Sequence, residues 1–300
     1  MKVVGSGFSG LIGRPLASQL LKKYELTQLV RDSKSRKDSA SAARRVSWRP
    51  PFFDDWVNEV DGAYAVINLS GEPIAEKRWN AARKKELRSS RVQSTKALVD
   101  AMGRAKIKPK VFMNASAIGF YGARDSSPID ESAPPGSGFL SELCQEWENE
   151  ASRARSLGIR TVLLRTGVVL AREGGALSKM VPPFKIGAGG PLGNGRQFMS
   201  WIHIEDEVSA ILRILEDSSI HGPVNLTSPQ AVSMKEFTAT LGHALKRPAF
   251  FPVPGLALRV LLGEMSEMLL TGQNVLPTVL LRAGYSFKYP ALEPALKALV

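Results

Sequence analysis

The first thirteen residues, MKVVGSGFSGLIG, restrict the fold more than any other stretch of the chain. Two phosphate-loop patterns overlap in them. One is G-x-G-x-x-G through Gly5, Gly7 and Gly10; the other is G-x-x-G-x-x-G through Gly7, Gly10 and Gly13. Under the first, the strand ends by Val4 and Gly13 lies inside a helix, where it costs about 1 kcal/mol relative to Ala for no return. Under the second, a strand runs over 1–6, Gly7 makes the turn, and Gly10 lets backbone N–H groups approach a pyrophosphate at the helix N-terminus. Gly13 then allows helix and strand to pack closely. The second pattern gives every one of its glycines a physical task, and it leaves Gly5 as an odd residue inside a strand.

Beyond the loop, short apolar runs rich in β-branched residues alternate with helical patterns. Strands are expected at 26–30, 46–48, 65–69, 111–114 and 161–164. Helices are expected at 11–23, with Ile12, Leu16 and Leu20 on one face, at 76–104, with Leu87, Arg91, Ser94, Leu98 and Met102 at helical spacing, and at 139–157. This alternation predicts an α/β fold, a Rossmann-type doubly wound parallel sheet with helices on both faces. After about residue 170 the texture changes. The stretch 181–195 is rich in Gly and Pro and reads as a loop without the Lys-Ser/Thr pair of a P-loop. A strand is expected at 200–204 and a helix with an acidic start at 205–216. Short helices broken by prolines fill the remainder. The expected division is a nucleotide-binding domain over 1–228, with 170–204 contributing to the substrate side, and a smaller, mostly helical C-terminal lobe over 229–300.

Composition narrows the partners. The net charge of +12 points to an anionic ligand or substrate. The basic residues are interleaved with acids and show no aromatic-interleaved stripe, so no nucleic-acid partner is expected. No run of about 18 apolar residues suggests a membrane span. The one cysteine, Cys144, excludes an internal disulfide and favours a reducing compartment. A glycine loop that arrives by residue 5 leaves no room for a leader, so the expectation is cytoplasmic. His203, His221 and His243 have no partners at ligand spacing, and no metal site is expected.

Just past the second expected strand stands Arg31, where this fold reads the adenosine ribose. An acid there would suit NAD, whereas an arginine suits the 2′-phosphate of NADP. Lys34 and Arg36 add positive charge and Asp32 opposes it. NADP is therefore expected over NAD.

The segments GSGFSGLIG, AVINLSGEPI, FMNASAIGFYG, LLRTGVVL, GGALSKMVPPFKIGAGGPLG, FMSWIHIEDEV and GEMSEMLLTGQNVLP together resemble the epimerase-family proteins of the atypical extended short-chain dehydrogenase/reductase type. The resemblance covers nearly the whole chain. It implies an NADP site in which Gly7, Phe8, Ser9, Gly10, Leu11, Ile12 and Gly13 form the pyrophosphate loop and Arg31 meets the adenosine phosphate. It places Asn68, Leu69, Ser70 and Gly71 beside the adenine ribose, and Arg165, Thr166 and Gly167 where such folds approach the nicotinamide. Ser116 matches the active-site serine. Superfamily relatives often pair through a helix comparable to 76–104, which makes a homodimer an expectation.

The resemblance breaks at the catalytic acid. The larger superfamily uses a Tyr with a Lys four residues on, both on the helix after the serine. Here that helix reads FLSELCQEWENEA. Phe139 or Leu140 stands at the Tyr position and Leu143 or Cys144 at the Lys position. Tyr121, in the GFYG turn, is not a substitute by position. Two readings stay open. In one, the chain is an NADP-dependent oxidoreductase or epimerase with rearranged acid–base groups, drawing on Ser116 and on Tyr121, Lys185 or His203. In the other, it binds NADP without turnover as a regulatory or structural protein. Some members of the family carry cell-division labels, which fits the second.

Overall fold

A computed structural model describes residues 1–31 and 43–300. Asp32, Lys34 and Arg36 therefore lie outside the described residues. The strands are β1 (Lys2–Ser6), β2 (Glu25–Val30), β3 (Arg44–Ser47), β4 (Ala65–Asn68), β5 (Val111–Ala117), β6 (Pro128–Ile129), β7 (Arg160–Thr166), β8 (Val168–Leu170), β9 (Phe198–Met199), β10 (Trp201–His203), β11 (Gly222–Leu226), β12 (Val232–Ser233) and β13 (Asn274–Val275). The helices are α1 (Gly13–Leu20), α2 (Val57–Val60), α3 (Ala81–Arg104), α4 (Phe139–Ser152), α5 (Gly175–Lys185), α6 (Ile204–Glu216), α7 (Met234–Leu245), α8 (Gly255–Leu262), α9 (Glu267–Leu270), α10 (Thr278–Arg282) and α11 (Leu292–Leu299).

Seven strands form one sheet in the order β11-β7-β5-β4-β1-β2-β3, every neighbour parallel. Alternation along each strand feeds two cores. Val3, Ile67, Val111, Met113, Val162 and Leu164 pack with Leu16 and Leu20 of α1 and Ile211 and Ile214 of α6. Val4, Val66, Phe112 and Leu163 pack on the other face with Leu98 and Met102 of α3 and Ala151 of α4. Both faces are therefore covered, as a parallel sheet requires. The strand order reverses between β1 and β4, and in such sheets the ligand crevice opens at the carboxyl ends of the strands beside that switch point. Gly7 and Leu69 stand there.

A third core joins the second half of the chain. Leu170, Leu177, Phe184, Trp201, Phe237, Leu241, Leu292 and Leu296 bury one another between α5, α7, α11 and the short β8–β10 pair. Two carboxylates fasten this half to the sheet. Asp206 accepts from the backbone N–H groups of Lys288 and Tyr289, and Glu131 accepts from those of Asn225 and Val279.

Several boundaries differ from the pattern reading, each for a local reason. The helix expected from 76 begins at Ala81, because the Asn80 side chain accepts from the Arg83 N–H and caps it there. Residues 181–185, expected as loop, continue α5 despite Pro182 and Pro183, with Phe184 buried against the third core. Lys185 is thus the last residue of a helix. The helix expected over 139–157 is α-helical only to Ser152 and tightens to a 3-10 turn over 153–157.

Gly5 also gains a reason. A Cβ there would lie 2.3 Å from the Phe8 ring and 2.8 Å from the Ile67 carbonyl oxygen. The absent side chain is what lets Phe8 tuck under the sheet. Gly13 is tighter still against backbone, since its Cβ would stand 2.3 Å from the Gly7 oxygen and 2.5 Å from the Phe8 Cα. We expect Gly13→Ala to lower stability by about 1–3 kcal/mol, the usual cost of overpacking. Gly10→Ala, whose Cβ would come no nearer than 3.2 Å, should cost less. Urea unfolding of the two variants checks this, and equal losses would contradict it.

Candidate dinucleotide site

The glycine loop crosses from β1 to α1 beneath the loop that follows β4. Gly7 has φ of +80°, and a Cβ on it would sit 2.4 Å from the Leu69 carbonyl carbon. The Gly10 N–H closes the turn on the Gly7 oxygen at 3.1 Å. No side chain caps α1, and no acid occupies its first turn. Arg14 N–H bonds the Gly10 oxygen and Pro15 has none, so it is the positive dipole end and the turn before Arg14 that are left for an anion. Phe8 is buried, Ile12 precedes the helix, and Leu11 contacts the space a Cβ on Gly174 or Gly175 would take.

Behind the loop lies a buried polar cluster. Asn68 is fully buried; its Oδ1 accepts from the Ser6 hydroxyl at 2.8 Å and from the Ser70 N–H at 3.1 Å. Its Nδ2 donates to Thr95 Oγ1 at 3.0 Å and to Asn114 Oδ1 at 2.7 Å, and Trp147 Nε1 donates to the same threonine at 2.8 Å. The Asn68 side chain thus ties the ends of β1 and β4 to the middle of β5 and, through Thr95, to α3 and α4. Leu69, Ser70 and Gly71 present the backbone beside the crevice. Arg31 ends just past β2 with 87% of its side chain exposed, and its Nη1 lies 3.2 Å from Glu72 Oε1. That carboxylate holds the Arg31 cation at the end of β2, beside the loop that follows β4.

Ser116, Tyr121 and Arg165 belong to a second buried network. Arg165 grips Glu148 with two bonds, Nε to Oε1 and Nη2 to Oε2, both 2.8 Å. Both side chains are nearly inaccessible. The Ser116 hydroxyl donates to the same Glu148 at 2.6 Å. Arg165 Nη1 donates to the Tyr121 hydroxyl at 2.9 Å, which donates onward to Asn225 Oδ1 at 2.7 Å. The guanidinium also lies 3.5 Å from the Phe120 ring centroid. Burial pushes the Tyr121 hydroxyl above its usual range. The structure therefore places both catalytic candidates inside a closed hydrogen-bond chain. Losing one partner of a buried ion pair typically costs about 3–5 kcal/mol.

The residues that replace the usual Tyr and Lys can now be told apart. Phe139 packs edge-on against Trp79, and Leu143 joins the cluster of Trp79 and Leu87. Leu140, which also packs against that cluster, and Cys144 face the serine loop, 3.3 Å and 3.8 Å from the Cβ position of Gly119. Burial pushes the Cys144 thiol up to about 12, so it stays protonated. An apolar side chain and a neutral thiol stand where an acid and a cation are expected. His203 caps α6 by accepting the Glu205 N–H on Nδ1, and its ring stacks 3.9 Å from Tyr289. Among the described residues no group of three or more His, Cys, Asp or Glu is placed to hold a metal.

Thr166 and Gly167 follow Arg165. A Cβ on Gly167 would lie 2.7 Å from the Ser200 oxygen. Thr166 donates to Glu207 Oε1 at 2.9 Å, and Oε2 of that fully buried carboxyl has no partner. A groove of about 790 Å³, lined by Arg160, His221 and Gly222 among others, lies at the opposite, amino-terminal ends of β7 and β11.

Glu148 and Glu207 were not singled out by the sequence; Asp206 was, as a possible partner of His203, but His203 bonds the Glu205 backbone N–H and Asp206 bonds those of Lys288 and Tyr289. A signal for Glu148 was available: a lone acid on the stripe Leu140, Cys144, Glu148 of α4, and a lone arginine inside the apolar run TVLLRT.

A parallel sheet with an uncapped glycine turn at its switch point defines a Rossmann-type α/β fold. Residues 4–226 match the NAD dependent epimerase/dehydratase family, and residues 253–299 match a domain of unknown function. The chain is 39% identical over its full length, and 87% of the relative's, to the chloroplastic epimerase family protein SDR39U1 homolog of Arabidopsis thaliana. It is 41% identical to an epimerase family protein of Mycobacterium leprae, over 97% of this chain and 93% of the relative. It superposes on the crystal structure of human epimerase family protein SDR39U1 with NADPH at a TM-score of 0.88, with 34% identity, covering 100% of this chain and 99% of that one. The chain belongs to the NAD dependent epimerase/dehydratase family. Among the described residues no helix is long and apolar enough to cross a membrane.

Glu207 yields a pH prediction. Burial pushes its carboxyl up to about 8, against about 4.3 in an unfolded chain. A raised carboxyl favours the folded state while protonated, so its contribution is intact below about pH 4.3 and is lost as pH rises through about 8. Glu207→Gln keeps a neutral hydrogen-bonding group. Its melting temperature should gain on the wild type progressively between about pH 5 and about pH 9; a difference independent of pH would contradict the assignment.

Proposed function

We propose that this chain binds NADP in the crevice above β1 and β4, and holds it without the tyrosine-assisted proton transfer of the wider superfamily. One observation carries the reading: Ser116 and Tyr121 spend their hydroxyls on Glu148 and Asn225, while Leu140 and Cys144 stand at the acid and cation positions. The glycine cradle fits the group, since side chains on Gly7 or Gly13 would fill it. The uncapped start of α1 would take the pyrophosphate. Bound NADPH would supply a hydride at the nicotinamide. The relative crystallised with NADPH supports the cofactor, and Arg31 supports the 2′-phosphate form over NAD.

In this reading the protein is a nucleotide-binding regulator or structural partner rather than a tyrosine-dependent oxidoreductase. The basic balance of the chain fits an anionic ligand.

The experiment is a cofactor titration with Arg31→Ala beside the wild type. The wild type should bind NADPH more tightly than NADH. The variant should lose about 1.5–3 kcal/mol toward NADPH, the worth of charge-assisted bonds, with NADH little changed. Equal losses for both nucleotides would remove the 2′-phosphate role, and failure of the wild type to bind either would overturn the reading.

A further inference from the structure

Among the described residues Arg91 is a half-buried guanidinium without a carboxylate partner. Its Nη1 donates to the Leu87 oxygen at 3.1 Å and its Nη2 to the Glu72 oxygen at 3.0 Å. Among the described residues no ion pair engages it, although Glu72 and Glu86 on neighbouring segments pair with Arg31 and Arg83. Its Nε makes no hydrogen bond among the described residues, and is not among the buried, unpartnered atoms. The plane packs over Trp147 of α4, 5.3 Å from the ring centroid. Burial lowers its affinity for a proton below the ordinary arginine value, which marks a charge drawn out of water.

Its position is informative. One turn further along α3, Thr95 is bonded to Asn68 at the carboxyl end of β4 and to Asn114 in the middle of β5. Arg91 therefore sits one turn above the end of β4. A Cβ on Gly71, in the loop after β4, would meet its Cζ at 3.1 Å and its Nη2 at 3.3 Å. On the α4 side it packs over Trp147, which lies one turn along the helix from Cys144. Cys144 is the residue at the position of the missing lysine. Arg91 thus brings a cation from α3 to the level where α4 lacks one.

We propose that Arg91 takes over the missing lysine's task, and that its free N–H groups hold the phosphate and ribose of the nicotinamide half of the dinucleotide. This rests on the NADP-binding reading above. Arg91 is a positioning residue for the cofactor, since no tyrosine stands beside it to be acidified. An arginine suits the role because its fork is rigid and permanently charged, and two of its N–H groups are already anchored to backbone.

The test is calorimetric titration of the wild type, Arg91→Met and Arg91→Lys with two probes, NADPH and adenosine 2′,5′-bisphosphate, which lacks the nicotinamide half. Thermal melts establish that each variant is folded. Arg91→Met should bind NADPH about tenfold or more weakly, as loss of charge-assisted bonds implies, while its affinity for the bisphosphate stays within about twofold of the wild type. Arg91→Lys should fall between. Equal loss for both probes would make Arg91 a support for the loop alone, and no loss for either would remove it from the site; both overturn the inference. A wild type that binds the bisphosphate but not NADPH would overturn it too, whereas one that binds neither would bring down the NADP reading itself.

Discussion

The Glu148–Arg165 ion pair is the interaction on which the upper half of the molecule depends. It joins α4 to β7 with two bonds in a nearly dry setting. A pair so placed survives only if its remaining polar atoms are satisfied. Ser116 from β5 and Tyr121 from the turn after it supply those partners, and Asn225 passes the chain on to β11. Three strands and one helix are thereby fixed in register at the carboxyl edge of the sheet. The same requirement removes Ser116 and Tyr121 from free service as acids. Their hydroxyls cannot leave the network without exposing a buried charge.

A second constraint is steric. Gly7 and Gly13 approach the backbone of Leu69 and Gly7 so closely that no side chain can be added. The turn is set by packing as well as by any phosphate it cradles. Across the crevice from it, the positions of the usual catalytic pair hold Leu140 and Cys144, while Arg91 of α3 packs over Trp147 of the same helix. In the function proposed above, such a site keeps the means of holding a dinucleotide without the tyrosine-assisted proton transfer.

Much of this was legible in the sequence. The glycine spacing chose the correct loop, and the β/α alternation gave the sheet and its helices, because both follow from short-range geometry. Gly5 was not explained by pattern; its reason is the Phe8 ring, which reaches it only after the loop has folded back. The start of α3 was misplaced because its cap is a side-chain bond from Asn80 to Arg83, a local choice among several polar residues. Residues 181–185 read as loop from their prolines, yet the third core holds Phe184 in a helix. The site was legible in residue type and not in role. Arg91 appeared on the helical stripe of α3, whereas Glu148 lies on the Leu140–Cys144 face of α4, which the pattern did not single out. Neither could be given a partner before the helices were placed beside one another.

The central claim is that the chain holds NADP without tyrosine-assisted turnover. Label transfer tests it most directly. The protein, loaded with NADPH deuterated at nicotinamide C4, is incubated with a cell metabolite extract and the products are read by mass spectrometry. The account predicts that the deuterium stays on the recovered cofactor and that no metabolite carries it. Deuterium in any metabolite, dependent on the protein, would contradict the account and name the substrate at once.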